Sequence, residues 1–166
     1  MKSSILAISL FLVNSVICFG QNIESAPDDK AVVYFVIKTL TGADDLYYFD
    51  SKKIIGKCRG KNYFRYECEA GEHVFFAKAN YPDFIEADIE AGKIYFVEVQ
   101  SSNAFTGGSV YLFPLDPNKN PKRLDKIFKF MEKKPPKSFT KEDLVIDNED
   151  KVIGEILNEY WEWKTS

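Results

Sequence analysis

The spacing of apolar residues changes near residue 114, and the change divides the chain into two parts. Before it, short segments rich in β-branched and aromatic residues alternate apolar with polar positions, with turn residues between them. After it, apolar residues recur at helical spacing. The sequence therefore predicts a mainly β protein, α+β by content: an antiparallel β-sandwich of seven or eight strands followed by two C-terminal amphipathic helices.

Eight segments of the first part have the length and composition of strands. They are residues 31–38, 46–49, 53–57, 63–68, 73–79, 84–89, 93–100 and 109–113. In the fourth segment, Phe64 and Tyr66 alternate with Arg65 and Glu67, as a strand with one buried face requires. This pattern predicts strands that share a core on one side.

Two helices are predicted after the strands. Asn120 is suited to cap the first helix and Pro121 to begin it, and a Pro-Pro pair ends it. The second helix is expected over about residues 147–163, and both helices have an apolar stripe that needs a surface to pack on. The first strand, residues 31–37, is apolar on both faces, which predicts a central position or cover on its outer face.

The first twenty residues have the features of a cleavable secretory signal peptide. Lys2 supplies a short charged region, an apolar run extends over residues 5–18, and Gly20 is a small residue at the cleavage position. The run is too short to span a bilayer comfortably, and a buried N-terminal element is the less favoured alternative. We therefore expect a protein that is exported to the periplasm or the exterior.

Cleavage after Gly20 defines the expected domain organisation. It consists of a signal peptide at 1–20, a polar leader at 21–30, a β-sandwich domain at 31–116 and a helical C-terminal extension at 117–166 that docks on the sandwich. A lipoprotein signal is less favoured, because the cysteine to be lipidated usually follows a small residue and Cys18 follows Ile17. With no second long apolar run, no transmembrane span is expected.

Two cysteines, Cys58 and Cys68, remain after removal of the signal. In an oxidising compartment two cysteines favour a disulfide. The alternative is a pair of buried free thiols, which pack as small apolar side chains. The sequence spacing does not decide between them, because a bridge depends on the distance between the two Cα atoms.

Four motifs of the β region resemble those of one known family. They are Ala-Val-Val-Tyr-Phe at 31–35, Ile-Ile-Gly at 54–56 followed by Tyr-Phe-Arg-Tyr at 63–66, Ala-Gly-Glu-His at 70–73, and Ile-Glu-Ala-Gly-Lys-Ile-Tyr-Phe-Val at 89–97. They are similar to motifs of the DUF2846 family, exported bacterial β-domains of unknown function that look like relatives of PEGA-type and transthyretin-like sandwiches. The resemblance implies an exported sandwich and no particular chemistry. Asp50-Ser51 stands where the family often has Asp-Gly.

Residue types that carry catalysis or bind metals are sparse. His73 is the only histidine, so a catalytic triad or a Cys-His pair would have to be built around it, and a structural role is favoured. The carboxylate pairs do not follow the spacing of a calcium loop, and two cysteines with one histidine lack the spacing of a zinc site. No cofactor or metal is expected.

Aromatic residues make up 15% of the chain and suggest a contact surface. Exposed rings can stack on sugars or anchor a partner protein, although a small sandwich also uses large rings to fill its core. The candidate contacts for a partner or a sugar are Tyr47, Tyr48, Tyr111, Trp161 and Trp163.

Charge is unevenly distributed in the C-terminal extension. Residues 117–141 hold nine cations and two acids, a net charge of +7, and residues 142–166 hold eight acids and two cations, a net charge of −6. The favoured interpretation is that the two halves offset one another while their apolar stripes dock on the sheet. The alternative is that the basic helix, residues 121–134, contacts an anionic membrane surface. No nucleic-acid partner is expected, since the whole chain has a net charge of −3.

These patterns predict an exported, non-catalytic binding or structural module of the cell envelope or exterior, with an unknown protein or glycan partner. A carbohydrate-binding module that uses exposed aromatic residues is the first alternative. A hydrolase whose site the sequence does not reveal is the second.

Overall fold

Eight β-strands form two four-stranded sheets in the computed structural model, and two α-helices follow them. The structure describes residues 23–39, 45–78, 81–102 and 108–165, so the predicted signal peptide lies outside the described residues. The strands are β1 (Ala31–Thr39), β2 (Leu46–Asp50), β3 (Lys53–Cys58), β4 (Asn62–Cys68), β5 (Gly71–Lys78), β6 (Asp83–Ile89), β7 (Ile94–Ser102) and β8 (Ser109–Pro114), and the helices are α1 (Pro121–Met131) and α2 (Glu149–Thr165). The predicted mainly β sandwich with two C-terminal helices is confirmed.

The strand order is β4-β1-β7-β8 in one sheet, the A sheet, and β3-β2-β5-β6 in the other, the B sheet. Neighbouring strands are antiparallel, as predicted, with one exception: β1 and β7 run parallel in the centre of the A sheet. The chain builds the whole B sheet and β4 between these two strands. Such a long crossover allows β7 to return beside β1 in the same direction, which a hairpin cannot do.

The central strand β1 is buried on both of its faces. Val33, Phe35 and Ile37 point between the sheets, and Val32, Tyr34 and Val36 point to the outer face of the A sheet. All six are at most 1% exposed. The run of apolar residues noted in the sequence therefore has both of its sides covered by protein.

The two helices cover the two outer faces of the sandwich. On the A sheet, α1 contributes Leu124, Ile127 and Met131 to a cluster with Val32, Tyr34, Val36 and Tyr63. On the B sheet, α2 contributes Ile153 and Ile156 to a cluster with Phe49, Ile54 and Phe76. The molecule therefore has four layers, in the order helix, sheet, sheet, helix.

This layering separates the basic and acidic halves of the extension. The sheets of a sandwich lie about 10 Å apart and each helix adds a layer of about 10 Å, so the axes of α1 and α2 are roughly 30 Å apart. Screening by salt acts over about 8 Å at physiological ionic strength. Contrary to the interpretation from the sequence, the two halves of the extension therefore do not offset one another. The outer surface of α1 is a basic face of the molecule, and the outer surface of α2 is an acidic face.

The connection between the helices, residues 132–148, closes one side of the sandwich, and we name it the strap. Its Lys137 N–H donates to the carbonyl oxygen of Tyr63 at 2.7 Å, and the Tyr63 hydroxyl donates to the carbonyl oxygen of Lys134 at 2.9 Å. The Phe139 ring enters the space between the sheets, with its centroid 5.3 Å from that of Phe64. The strap thus covers the β3 and β4 edges.

Helix α1 begins where it was predicted, but its expected cap differs. The side chain of Asn120 makes no capping hydrogen bond to the helix; its Oδ1 accepts from the N–H of Asp116 at 3.2 Å. The backbone oxygen of Asn120 accepts from Arg123 and Leu124 instead. The loop before α1 is therefore held by the side chain that was predicted to hold the helix.

Candidate functional site

Three polar side chains meet at the end of the sandwich where β2 turns into β3. His73 Nδ1 lies 3.0 Å from Asp50 Oδ1 and 2.9 Å from Oδ2, and the Tyr66 hydroxyl donates to Asp50 Oδ2 at 2.8 Å. Asp50 pairs with Phe75 of β5, two residues beyond His73, while Tyr66 reaches over from β4 of the other sheet. The side chains of Asp50 and His73 are only 10% and 13% exposed. We name this group the Asp50 cluster.

The ring of His73 is engaged on both nitrogens. Its Nε2 lies 3.0 Å from the carbonyl oxygen of Glu69, and a carbonyl oxygen can only accept a hydrogen bond. The carboxylate of Asp50 faces Nδ1, so both ring nitrogens are directed at oxygen atoms of the protein's own fold. A general base needs a ring nitrogen with a free lone pair near its substrate. His73 in this arrangement links two strands and a corner of the backbone instead.

Packing encloses the Asp50 cluster. The His73 ring stacks on Phe75 with the centroids 5.4 Å apart and the planes 2° from parallel, and Lys53 Nζ lies 5.3 Å from the centre of the Tyr66 ring. Burial, and then the hydrogen bond to Asp50, raises the pKa of the Tyr66 phenol. The phenol therefore stays protonated and acts as a donor to Asp50.

The structure does not bring Cys58 and Cys68 together. Cys58 ends β3 and Cys68 ends β4, and both are buried free thiols. β4 starts near Cys58 and runs away from it, so Cys68 lies at the far end of that strand. A strand rises about 3.3 Å per residue, and the two cysteines are therefore roughly 20 Å apart. A disulfide needs Cα atoms within about 7 Å, so of the two alternatives the fold accommodates free thiols and not the suggested bridge.

Neither thiol is activated. Burial raises the pKa of Cys58 to about 12 and that of Cys68 to about 11. A thiolate is the reactive form of cysteine, and a pKa this high leaves almost none of it at neutral pH. The two cysteines serve the core as small apolar side chains.

The five aromatic residues predicted to contact a partner or a sugar do not share one surface. Tyr48 is fully buried between the sheets. Tyr47 packs on the outer face of the B sheet, Tyr111 lies on β8 of the A sheet and is 45% exposed, and Trp161 lies on α2 and is 57% exposed. The side chain of Trp163 lies outside the described part of the structure. A stacking platform needs neighbouring rings on one face, which the four side chains that the structure describes do not provide.

Trp161 lies beside a polar contact that fixes α2 to the B sheet. The Tyr160 hydroxyl donates to Glu86 Oε1 at 2.5 Å, and Lys164 Nζ lies 2.8 Å from the same oxygen. Hydrogen bonds from Lys164 and then from Tyr160 lower the pKa of Glu86. Lys164 Nζ is also 5.8 Å from the centre of the Trp161 ring. The turn of α2 that holds the indole at the surface is therefore anchored at two points.

The free edge of β8 has its outward donors occupied. The N–H of Val110 donates to the carbonyl oxygen of Tyr81 at 3.3 Å, and that of Leu112 donates to Asp83 Oδ2 at 2.7 Å. Pro114, the next residue with the same orientation, has no N–H. An edge whose donors are satisfied in this way is protected against pairing with another strand. An extended peptide therefore cannot add to the sheet at β8.

A small apolar crevice opens between the sheets on the β6 and β8 side, with a volume of about 70 Å³. Its lining includes Phe75, Ile85, Ile89, Tyr95 and Val97. Small-molecule sites typically measure roughly 300–1,000 Å³ and present several polar groups. This crevice therefore has neither the size nor the polarity of a cofactor or sugar pocket.

Among the described residues, no group of three or more His, Cys, Asp or Glu side chains is placed to hold a metal ion. In the same part of the chain, no helix combines the length and apolar character needed to cross a membrane. No protein-family model matches the chain, and no curated protein matches it either. The resemblance to the DUF2846 family stays a prediction.

The sequence identified His73 but not its partners. It assigned Asp50 to a turn and Tyr66 to the buried face of a strand, and both assignments are compatible with the cluster without predicting it. Asp50 and Tyr66 come from different sheets, 16 residues apart. No local spacing could have signalled a contact that depends on how the two sheets are stacked.

Proposed function

We propose that the chain acts as an exported, non-catalytic binding or structural module of the cell envelope or exterior. The observation that carries the proposal is that His73, the only histidine, has both ring nitrogens engaged by acceptors of its own fold. Histidine and cysteine are among the side chains that most often perform acid–base and nucleophilic chemistry. Here the histidine and both protonated, buried thiols serve the fold instead. A binding role requires none of them.

Trp161 supports the α2 surface as the place of contact. Exposed tryptophans are among the residues that contribute most to binding when a partner covers them. The indole sits on a regular helix that Glu86 anchors through Tyr160 and Lys164, so little side-chain and backbone freedom remains to be lost on binding. We place the partner contact on the outer surface of α2, around Trp161.

Site-specific crosslinking in the native host tests this placement. A photoreactive amino acid is introduced at position 161 and, in a matched control, at Tyr81, which is 63% exposed and lies two residues before β6. We expect one discrete adduct from position 161 and none of that size from position 81. Adducts of equal size and yield from both positions, or none from position 161, would contradict the proposal.

Two measurements address the alternative functions. Binding of a polysaccharide would change the fluorescence of Trp161 and prevent the protein adduct, and that result would favour the carbohydrate-binding alternative. Turnover of ester, peptide or glycoside substrates that is lost in His73→Gln but retained in a variant of an exposed residue would overturn the non-catalytic proposal. We expect no turnover in either variant.

A further inference from the structure

The lysines of α1 form one stripe that points away from the sandwich. Lys122, Lys126 and Lys129 follow one another at intervals of four and three residues, and Lys133 lies in the turn that directly follows the helix. At about 100° per residue the three helical positions fall within roughly 60° of the helix circumference. The buried residues of the same helix lie on the opposite side, against the A sheet. The cations therefore project outward, into solvent, from the basic face.

Most of the charge in this stripe is not neutralised locally. Lys129 Nζ lies 2.8 Å from Asp125 Oδ2, the neighbouring acid on the same helix. Lys122, Lys126 and Lys133 are exposed, and none of them has a carboxylate within ion-pair distance among the described residues. Two adjacent turns of α1 and the turn that follows the helix thus carry an unpaired cation each, with Glu132 as the one other exposed acid of the segment 121–134.

The surroundings of α1 leave the basic face strongly charged. Segment 117–141 has a net charge of +7. Glu98 pairs with Arg123 at 2.7 Å and Asp116 with Lys119 at 3.7 Å, and counting these two acids lowers the net charge to +5. The acidic α2 lies on the far side of the sandwich, roughly 30 Å from α1. Salt screens charges over about 8 Å, so the two helices do not affect one another's charge at that distance. Nothing on α2 cancels this charge.

We infer that α1 docks the protein on an anionic membrane surface, with the lysine stripe toward the lipid headgroups. The positive stripe complements such a surface, and each lysine close to it contributes a factor of about five to the binding constant. The apolar stripe of α1 is already buried against the A sheet, so the helix does not insert and the attachment is peripheral and sensitive to salt.

This docking goes beyond the proposed function and does not rest on it, because it concerns the opposite face of the molecule. In the docked orientation α1 faces the membrane and α2 faces away from it. Trp161 then remains accessible to a partner, and the acidic face is kept away from the anionic lipids. The two charged faces together define a single orientation on the surface.

Sedimentation with vesicles tests the inference. Purified protein, made with and without residues 1–20 so that the apolar N-terminal run is controlled for, is mixed with vesicles of phosphatidylcholine or of equal parts phosphatidylcholine and phosphatidylglycerol. Both forms should bind the anionic vesicles at low ionic strength, and the shorter form should be released by molar salt and should not bind the neutral ones. The triple variant Lys122→Glu, Lys126→Glu, Lys133→Glu should bind at least about 100-fold more weakly.

A charge-matched variant distinguishes binding through the lysine stripe from binding that depends only on the net charge of the protein. Lys52→Glu, Lys78→Glu and Lys151→Glu change the same number of exposed cations away from α1 and should retain most of the binding, while Lys→Arg at the three stripe positions should retain all of it. Equal loss in both charge-reversal variants would overturn the inference, as would equal binding of the shorter form to neutral vesicles. Binding to soluble polyphosphate without binding to anionic vesicles would also overturn it, since the target would then not be a membrane. Melting curves of each variant verify the fold.

Discussion

Gly56 lies against the aromatic ring of Phe64 so closely that a β-carbon at position 56 would be 2.6 Å from the ring Cζ. The ring cannot retreat, because it stacks on Phe35 with centroids 5.0 Å apart and packs at 76° to the ring of Phe139 on the strap. Glycine in the interior of β3 is therefore required for close approach of a ring from the other sheet, and not for backbone flexibility.

Replacing Gly56 with alanine should destabilise the protein by about 1–3 kcal/mol, the usual cost of overpacking a core. Urea denaturation measures the change. Gly154→Ala is the matched control: Gly154 lies in α2, and a β-carbon added there has no atom within 4 Å apart from the adjoining part of its own helix. Removing a glycine from a helix should stabilise the protein by up to about 1 kcal/mol. Changes of the same sign in both variants would contradict this account of Gly56.

Removing the hydroxyl group should change the free energy of unfolding differently at two buried tyrosines, Tyr63 and Tyr48. The Tyr63 hydroxyl donates to the strap at Lys134, whereas the Tyr48 hydroxyl is buried without a hydrogen-bond partner in the structure. Tyr63→Phe should cost about 0.5–1.5 kcal/mol, and Tyr48→Phe should be neutral or stabilising, because it removes an unsatisfied polar group. Burial raises the pKa of Tyr63 to about 12, so both hydroxyls are compared in their neutral form. A larger loss in Tyr48→Phe, measured by urea denaturation, would indicate a missing partner.

Replacing Ser51 with glycine should stabilise the protein. It adopts φ +53° at the turn between β2 and β3, a conformation that costs a residue with a β-carbon about 1–2 kcal/mol. Ser51→Gly should therefore raise the free energy of unfolding by about 0.5–1 kcal/mol after the entropy cost of glycine is included. Lys52→Gly, in the same turn but without a positive φ, should lower it by a similar amount. Thermal unfolding of both variants checks the difference in sign.

The contact between Glu86 and α2 should weaken in acid. The pKa of Glu86 is lowered from its usual value of 4.5 by hydrogen bonds from Lys164 and Tyr160. A carboxyl group with a depressed pKa in the folded state contributes stability that is present above pH 4.5 and is lost as the pH falls through the folded value. Both tryptophans lie on α2, so their fluorescence should report this loss.

Glu86→Gln should remove the acid-dependent part of that fluorescence change. Asp88→Asn, on the same strand and exposed, is the control and should leave it intact. An unchanged pH profile in Glu86→Gln would assign the response to another carboxyl group.

The two cysteines should behave as unreactive free thiols. Under the proposal that the protein is exported, its intact mass should match a chain that begins at Gln21, without the loss of two hydrogens that a disulfide would cause. Alkylation should be slow in the native protein and fast after unfolding, because burial raises the pKa of both thiols. A mass lower by two hydrogens within a monomer would mean that β3 and β4 lie differently relative to one another than in this fold.

Much of the fold could be predicted because the relevant signals are local. Alternation along β4, the turn at Asp50-Ser51 and the helical spacing after Pro121 each depend on a few neighbouring residues, and the structure has strands and helices close to the predicted positions. The apolar β1 likewise indicated cover on both faces. The sequence could not tell that α1 provides this cover on the A sheet, since that depends on where the strap leads the chain.

The features that bear on function depended on contacts between distant segments. Cys58 and Cys68 are ten positions apart along the chain, yet the direction of β4 separates them. Asp50, Tyr66 and His73 come from three strands in two sheets and meet only after the sheets stack. Opposite charges adjacent in sequence were expected to offset one another, but the strap carries the chain across the sandwich and places them on opposite faces.

By itself, the sequence determined the class of the fold, because hydrophobic periodicity sets whether a segment forms a strand or a helix and which side of it is buried. Only the tertiary structure decided which surfaces remain available. His73 became a structural link, Tyr48 became part of the core, and the lysines of α1 became one outward stripe, since each outcome depends on packing between segments that sequence spacing does not record.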